Sequence, residues 1–168
     1  MISEKMNDAF NKQVNAELYS SYLYLSMSSW CSEKSLVGFA NWMRVQAQEE
    51  LSHAMKIYDY ILERGGSVKL DGIDSPPGSW TSPMEVVEEV ARHEAKVTGL
   101  INDLVDIAME ARDHAANIFL QWFVSEQVEE EASVGEVVER LKMIGDDSAG
   151  MFAMDLELGK RVFTPPAE

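Results

Sequence analysis

Glu50 and His53 stand three residues apart in the stretch Gln46-Ala47-Gln48-Glu49-Glu50-Leu51-Ser52-His53. Side chains at i and i+3 share one face of an α-helix, so a carboxylate and an imidazole at this spacing can grip a single ion. The inward stripe of that helix reads Phe39, Met43, Gln46, Glu50, His53, Ile57, Tyr60, apolar at both ends and polar in the middle. A core stripe needs a reason to be polar, because a buried carboxylate without a partner is destabilising.

The same interruption recurs in three other segments. Phe10, Val14, Glu17, Ser21, Tyr24, Ser28 form one stripe, with Leu18 and Leu25 beside it. Val87, Val90, Glu94, Val97, Ile101, Leu104, Ala108 form another, in which Glu94 is the one polar member. The last is Ala116, Leu120, Phe123, Gln127, Glu130, Val134, Val137, Leu141, Ile144, broken only by Gln127 and Glu130. Glu17 and Glu94, Glu50 and Gln127, and His53 and Glu130 are each separated by 77 positions. Two helix pairs thus carry one pattern, which predicts a pseudo-twofold site between them.

Glu17, Glu50, Glu94 and Glu130 in one core would repel each other and resist desolvation unless something positive joined them. Lys12, Arg44, Lys56, Arg92, Lys96, Arg140 and Lys142 all fall off the stripes, so an internal salt-bridge network is not evident. A metal pair fits better, and bridging carboxylates with one imidazole suit iron or manganese rather than structural zinc. His93 and His114 also fall off the stripes and are read as surface residues, while the methionines at helical spacing read as core filling.

Four long helices must position these groups. The pattern predicts α1 over residues 3–32 and α2 over 35–64, closed at Gly65-Gly66 and folded back antiparallel to α1 through a short link. Residues 65–82, GGSVKLDGIDSPPGSWTS, read as a long connection. Extended, it reaches roughly 60 Å, against roughly 42 Å for a helix of about 28 residues. It can therefore cross the whole bundle and set the next helix parallel to α2. Ser82, Pro83 and Glu85 give a capping signature for α3 over 83–112, and Asp113 caps α4 over 114–144. A short fifth helix, α5, follows over 146–162 and stops at Pro165-Pro166. The fold class is all-α: one four-helix bundle over 1–168 with a single long crossover and a C-terminal fifth helix.

The chain's 29 acidic and 14 basic residues give a net charge of −15, which disfavours nucleic acid and anionic membranes and suits cation handling. One cysteine, Cys31, excludes an intrachain disulfide framework. The N-terminus lacks a basic region followed by an apolar one, and no apolar run approaches the roughly 18 residues that span a bilayer. A cytoplasmic location is the expectation.

With these features in hand, the chain resembles non-haem ferritins of the bacterial and archaeal kind over essentially its whole length. The resemblance rests on Asn15-Ala16-Glu17-Leu18-Tyr19 with Tyr24, on Gln48-Glu49-Glu50-Leu51-Ser52-His53-Ala54, and on His93-Glu94. It continues in Phe119-Leu120-Gln121-Trp122-Phe123 leading to Glu126-Gln127-Val128-Glu129-Glu130-Glu131. It implies a di-iron ferroxidase centre, with Glu17, Glu50 and His53 on one iron, Glu50, Glu94 and Glu130 on the other, and Gln127 and Tyr24 beside them. It also implies a third iron site of Glu49, Glu126 and Glu129 with Glu130, although by themselves these three residues read as solvated.

Fe(II) would be oxidised by O2 or H2O2 and stored as ferric mineral in a homo-oligomeric shell of 24 copies. The resemblance puts α5 at a symmetry axis and the long loop at a two-fold contact. Three departures separate the chain from related families. Bacterioferritin-like proteins carry Glu-x-x-His on both helix pairs, but here the second copy is Gln127-x-x-Glu130, leaving one position with oxygen ligands only. Leu51 stands where bacterioferritins place a haem-ligating Met, so no haem is expected. A single cysteine excludes a rubredoxin-like segment. The other classes compatible with the residues are a di-iron redox enzyme that keeps its metals and a helical scaffold with a vestigial site.

Overall fold

The computed structural model describes residues 1–165. It has five helices, α1 Glu4–Glu33, α2 Val37–Glu63, α3 Pro83–Glu110, α4 His114–Ile144 and α5 Ser148–Leu158, and no strand among those residues. None of these helices is long and apolar enough to cross a membrane. Local chemistry accounts for most of the ends. Ser3 accepts from Met6 N, Ser82 from Glu85 N and Asp113 from Ala116 N, each satisfying a first-turn amide that has no helical partner. The Glu85 carboxylate returns not to Ser82 but to the amide and hydroxyl of Thr81.

Three expectations are corrected. α2 starts at Val37 rather than residue 35, because Ser35 takes a positive φ of 62° and Leu36 is non-helical. Leu36 supplies no side-chain cap. Instead Asp155 of α5 accepts from Gly38 N at 2.8 Å and Phe39 N at 3.0 Å, a cap delivered across more than a hundred residues. α5 spans Ser148–Leu158 rather than 146–162. Asp147 takes the amides of Ala149 and Gly150, and past Gly159 the Asn41 amide holds the carbonyls of Leu158, Gly159 and Arg161. Of the expected Pro165-Pro166 stop, Pro166 lies outside the described residues. On α1, Leu25 is exposed, while Leu23 and Met27 are buried. That helix packs against both α2 and α3, so its buried face is wider than one stripe.

The connection from α2 to α3 runs the length of α1. Asn7, Asn11 and Asn15, one helical turn apart, meet it rung by rung. Asn7 accepts from Ser67 N and donates to Ser67 O, Asn11 accepts from Lys69 N, and Asn15 donates to the carbonyls of Asp71 and Gly72. Further along, Ser26 donates to Pro77 O, and the rings of Trp30 and Trp80 pack edge to face. These side chains satisfy backbone groups that an irregular segment cannot satisfy by itself. The loop thereby starts α3 at the same end of the bundle as α2.

The apolar interior falls into two halves. One is built around Tyr24, Met27, Phe39, Met43, Val90 and Val134, the other around Phe10, Ile57, Val97, Ile101, Leu120 and Phe123. Each of α1 to α4 passes through both halves, and Glu17, Glu50, His53, Glu94, Gln127 and Glu130 lie between them along the sequence.

Candidate metal centre

Glu17, Glu50, His53, Glu94, Gln127 and Glu130 are all buried, none more than 7% exposed. One ligand atom from each of Glu17, Glu50 and His53 lies within 4.8 Å of the others, close enough for a single ion to touch all three. His53 Nδ1 is 3.5 Å from Glu50 Oε2, and its ring lies edge-on to those of Trp122 and Phe123. The remaining residues form a hydrogen-bonded set. Tyr24 OH donates to Glu94 Oε1, and Gln127 Nε2 reaches Glu94 Oε2 at 3.2 Å and Thr98 Oγ1 at 3.2 Å. Gln46 Nε2 donates to Glu130 Oε2 at 2.9 Å.

Two orienting residues have no role assigned by the sequence, although Gln46 stands in the polar stretch of the α2 stripe. Gln13 donates to Glu17 Oε1 at 2.8 Å, and Gln46 holds Glu130 from another helix. Their signal was present: each lies four residues before a stripe glutamate, on the same helix face. The expectation for His93 is corrected. It is half-buried between the rings of Tyr19 and Tyr24, with Nε2 at 2.7 Å from Ser20 Oγ. Burial, and then the nearby Lys96, hold its pKa down at about 4, so it is neutral near pH 7. His114 is exposed, as its off-stripe position implies. Glu49 and Glu126 are half-buried and Glu129 is exposed. Glu49 is not simply solvated, since Arg161 contacts its Oε2 at 2.6 Å.

By themselves the clustered carboxylates are electrostatically unfavourable. Burial, followed by the Glu50 charge, pushes Glu17 well above the usual carboxylate range. Burial and then Glu94 do the same to Glu50, while burial raises Glu94 to about 7 despite the Tyr24 hydrogen bond. Glu17 Oε2, Glu50 Oε2 and Gln46 Oε1 are buried acceptors with no hydrogen-bond partner. An acceptor without a donor, in a cluster without an adequate cation, is the arrangement a divalent metal would complete, reversing both penalties together.

A dependence on pH follows. Between an ordinary carboxylate pKa of 4.5 and about 7, the folded protein keeps the Glu94 proton while the unfolded chain releases it. Stability of the metal-free protein is therefore expected to fall as pH rises through this window, with the raised Glu17 and Glu50 carboxyls adding to the decline in the same direction. Urea unfolding of metal-stripped protein at several pH values checks this, and a midpoint that climbs across the window would contradict it. Saturating Zn(II) should remove the decline by binding the ionised form.

Known proteins agree with this architecture. A family profile described as Ferritin-like domain matches residues 7–144. A bacterial non-heme ferritin from Bacteroides fragilis strain 638R is 49% identical over 161 residues, covering 96% of this chain and 100% of that protein. A closed form of the Archaeoglobus fulgidus ferritin, engineered by site-directed mutagenesis, superposes with a TM-score of 0.96 at 54% identity, covering 98% of this chain and 100% of that one. The open pore ferritin of the same archaeon gives 0.95 at 53% identity, covering 96% and 98% of the two chains. With the profile spanning most of the bundle and relatives aligned almost end to end, this chain belongs to the ferritin family.

Proposed function

We propose that this chain stores iron, binding pairs of Fe(II) within the bundle and oxidising them before the ferric product leaves as mineral. The observation that carries this reading is the buried cluster of Glu17, Glu50 and His53, whose carboxylates hold acceptor atoms without partners. Iron storage with ferroxidase activity is what ferritin membership carries, and hard oxygen donors suit Fe(III) as it forms.

In this reading Glu17, Glu50 and His53 hold one iron, and Glu50, Glu94 and Glu130 hold the other. Glu50 is shared. Gln13 and Gln46 orient Glu17 and Glu130, while Gln127 and Tyr24 hold Glu94. The protons that burial keeps on these carboxylates leave as Fe(II) arrives, so uptake releases acid. Two Fe(II) give up two electrons, which reduce O2 to H2O2 with two protons, or H2O2 to water. The position without an imidazole holds iron less firmly, which suits iron as a substrate passing through. Glu49, Glu126 and Glu129 with Glu130 form a third iron position beside the pair. Copies of the chain assemble as a shell of 24 in the cytoplasm, and the acidic excess draws Fe(II) toward its pores and inner wall.

Anaerobic Fe(II) loading followed by air tests the reading. Ferric absorbance is expected to keep growing far beyond about two irons per chain, the capacity of one such pair. Arrest at that level would instead identify a redox enzyme that retains its metals. Glu94→Ala should slow the fast oxidation phase by at least about a hundredfold, and an unaltered rate would remove Glu94 from the centre.

A further inference from the structure

We propose that Thr98 and Glu131 are positioning residues for the half of the centre that lacks an imidazole. Glu131 fixes the hydroxyl of Thr98, Thr98 fixes the amide of Gln127, and Gln127 thereby holds Glu94 in place for its iron. This rests on the reading of Glu94 as an iron ligand given above, and it adds two residues outside the centre.

Helical spacing sets the four groups out as a rectangle. Glu94 and Thr98 lie one turn apart on α3, and Gln127 and Glu131 lie one turn apart on α4. Their hydrogen bonds run in one direction. Thr98 Oγ1 donates to Glu131 Oε1, and a carboxylate accepts without donating. With its hydrogen committed outward, the hydroxyl offers Gln127 only lone pairs. The Gln127 amide nitrogen lies 3.2 Å from Thr98 Oγ1, 3.2 Å from Glu94 Oε2 and 3.3 Å from the Glu94 carbonyl oxygen. Turned over, the amide would set its own oxygen against three acceptors, so one orientation is enforced. Glu94 is then gripped at both carboxylate oxygens, by Gln127 on Oε2 and by Tyr24 on Oε1.

The arrangement belongs to one half of the centre. Moved back by the 77 positions that relate the two helix pairs, Thr98 falls on Ser21 and Glu131 on Ala54. Ser21 turns its hydroxyl to the Ala47 carbonyl, and Ala54 has no polar side chain, so no such row forms there. Glu17 is held from its own helix by Gln13 instead. The half with His53 has a ring to hold its ion, whereas the other half depends on oxygen ligands whose orientation must be set by their neighbours. Thr98 is half-buried and Glu131 exposed, both on the wall of a groove of about 360 Å³ between α3 and α4 that Ile101, Val124 and Val128 also line. Neither fills the core, so what they contribute is orientation rather than packing.

Co(II), whose visible spectrum reports the donors around it, is the probe. Metal-stripped, assembled protein is titrated without air, comparing the wild type with Thr98→Val, Thr98→Ser, Glu131→Ala and the double variant Thr98→Val/Glu131→Ala. Thr98→Val keeps the shape and removes the hydroxyl, while Glu131→Ala removes the outer acceptor at an exposed position and carries the test even where a change at Thr98 disturbs the fold. Each is expected to weaken the second Co(II) bound per chain about tenfold or more and to leave the first unchanged. Thr98→Ser should bind as the wild type does. The double variant should be no weaker than Thr98→Val, because both changes break one row, whereas a simple loss of surface charge would add. Fe(II) oxidation should slow with the second Co(II) and recover in Thr98→Ser. Wild-type binding of the second Co(II) in Thr98→Val and Glu131→Ala would overturn the proposal, as would additive losses or equal weakening of both ions. Glu94→Gln separates the two readings. If it binds both Co(II) as the wild type does, the reading of Glu94 as a ligand fails and takes the proposal with it. Loss of one Co(II) in Glu94→Gln beside wild-type binding in Thr98→Val strikes the positioning role alone.

Discussion

Glu50→Gln is expected to abolish fast Fe(II) oxidation and, in the metal-free protein, to raise the unfolding temperature. Both outcomes come from one atom. Glu50 Oε2 is buried without a hydrogen-bond partner, and Glu94 and Glu130 add their repulsion to the cost of burial. Glutamine keeps the volume and is neutral without having to take up a proton, so the metal-free protein is spared the cost of holding a buried carboxyl protonated at neutral pH, about 2 kcal/mol by analogy with other buried ionic groups. For a chain of this size that amounts to a rise of about 4–8 °C. An amide is a poor bridge between two cations, so the oxidation rate should drop by about a hundredfold or more. Calorimetry on metal-stripped protein and stopped-flow oxidation measure the two effects. A variant that oxidises iron normally would take Glu50 out of the centre. One that is no more stable would show that the carboxylates are not held at the expense of the fold.

Gly38→Ala is expected to unseat α5. A Cβ at this position would lie 1.6 Å from the Asp155 carbonyl oxygen and 2.5 Å from its carbon, and neither atom can move without its helix. Displacement loses the two hydrogen bonds by which Asp155 caps α2 and loosens Met154 and Leu158 from the core. Loss of the cap costs about 0.5–2 kcal/mol, and the overpacking about 1–3 kcal/mol. Asp155→Ala should show only the first part. Thermal unfolding ranks the variants, and limited proteolysis locates the opening. Wild-type protection of the C-terminal segment in Gly38→Ala would mean that α5 does not dock here.

These two variants separate what can be read along the chain from what cannot. The burial of Glu17, Glu50, His53, Glu94, Gln127 and Glu130 was readable because helical spacing assigns each residue a face before any partner is known. The crossover was readable too, since the length of residues 65–82 and their glycines and prolines leave no other economical path back across the bundle. Gln13 and Gln46 were partly readable, four residues ahead of Glu17 and Glu50. His93 was misplaced because one stripe per helix was assumed. α1 packs against both α2 and α3, and the second contact draws Ser20 and the flanking tyrosines around the imidazole.

The sequence by itself determined the helices, their polar midpoints and the inequality of the Glu50-x-x-His53 and Gln127-x-x-Glu130 halves, because all of these are local and follow from residue type and a fixed period. Only the tertiary structure decided that Asp155 caps α2, that three asparagines carry the long loop, and that Arg161 settles on Glu49. Each of those contacts joins residues tens of positions or more apart, and spacing along a chain does not encode distances of that kind. At Glu50 the two levels meet. The period places it in the core, and the fold around it leaves one of its oxygens without a partner.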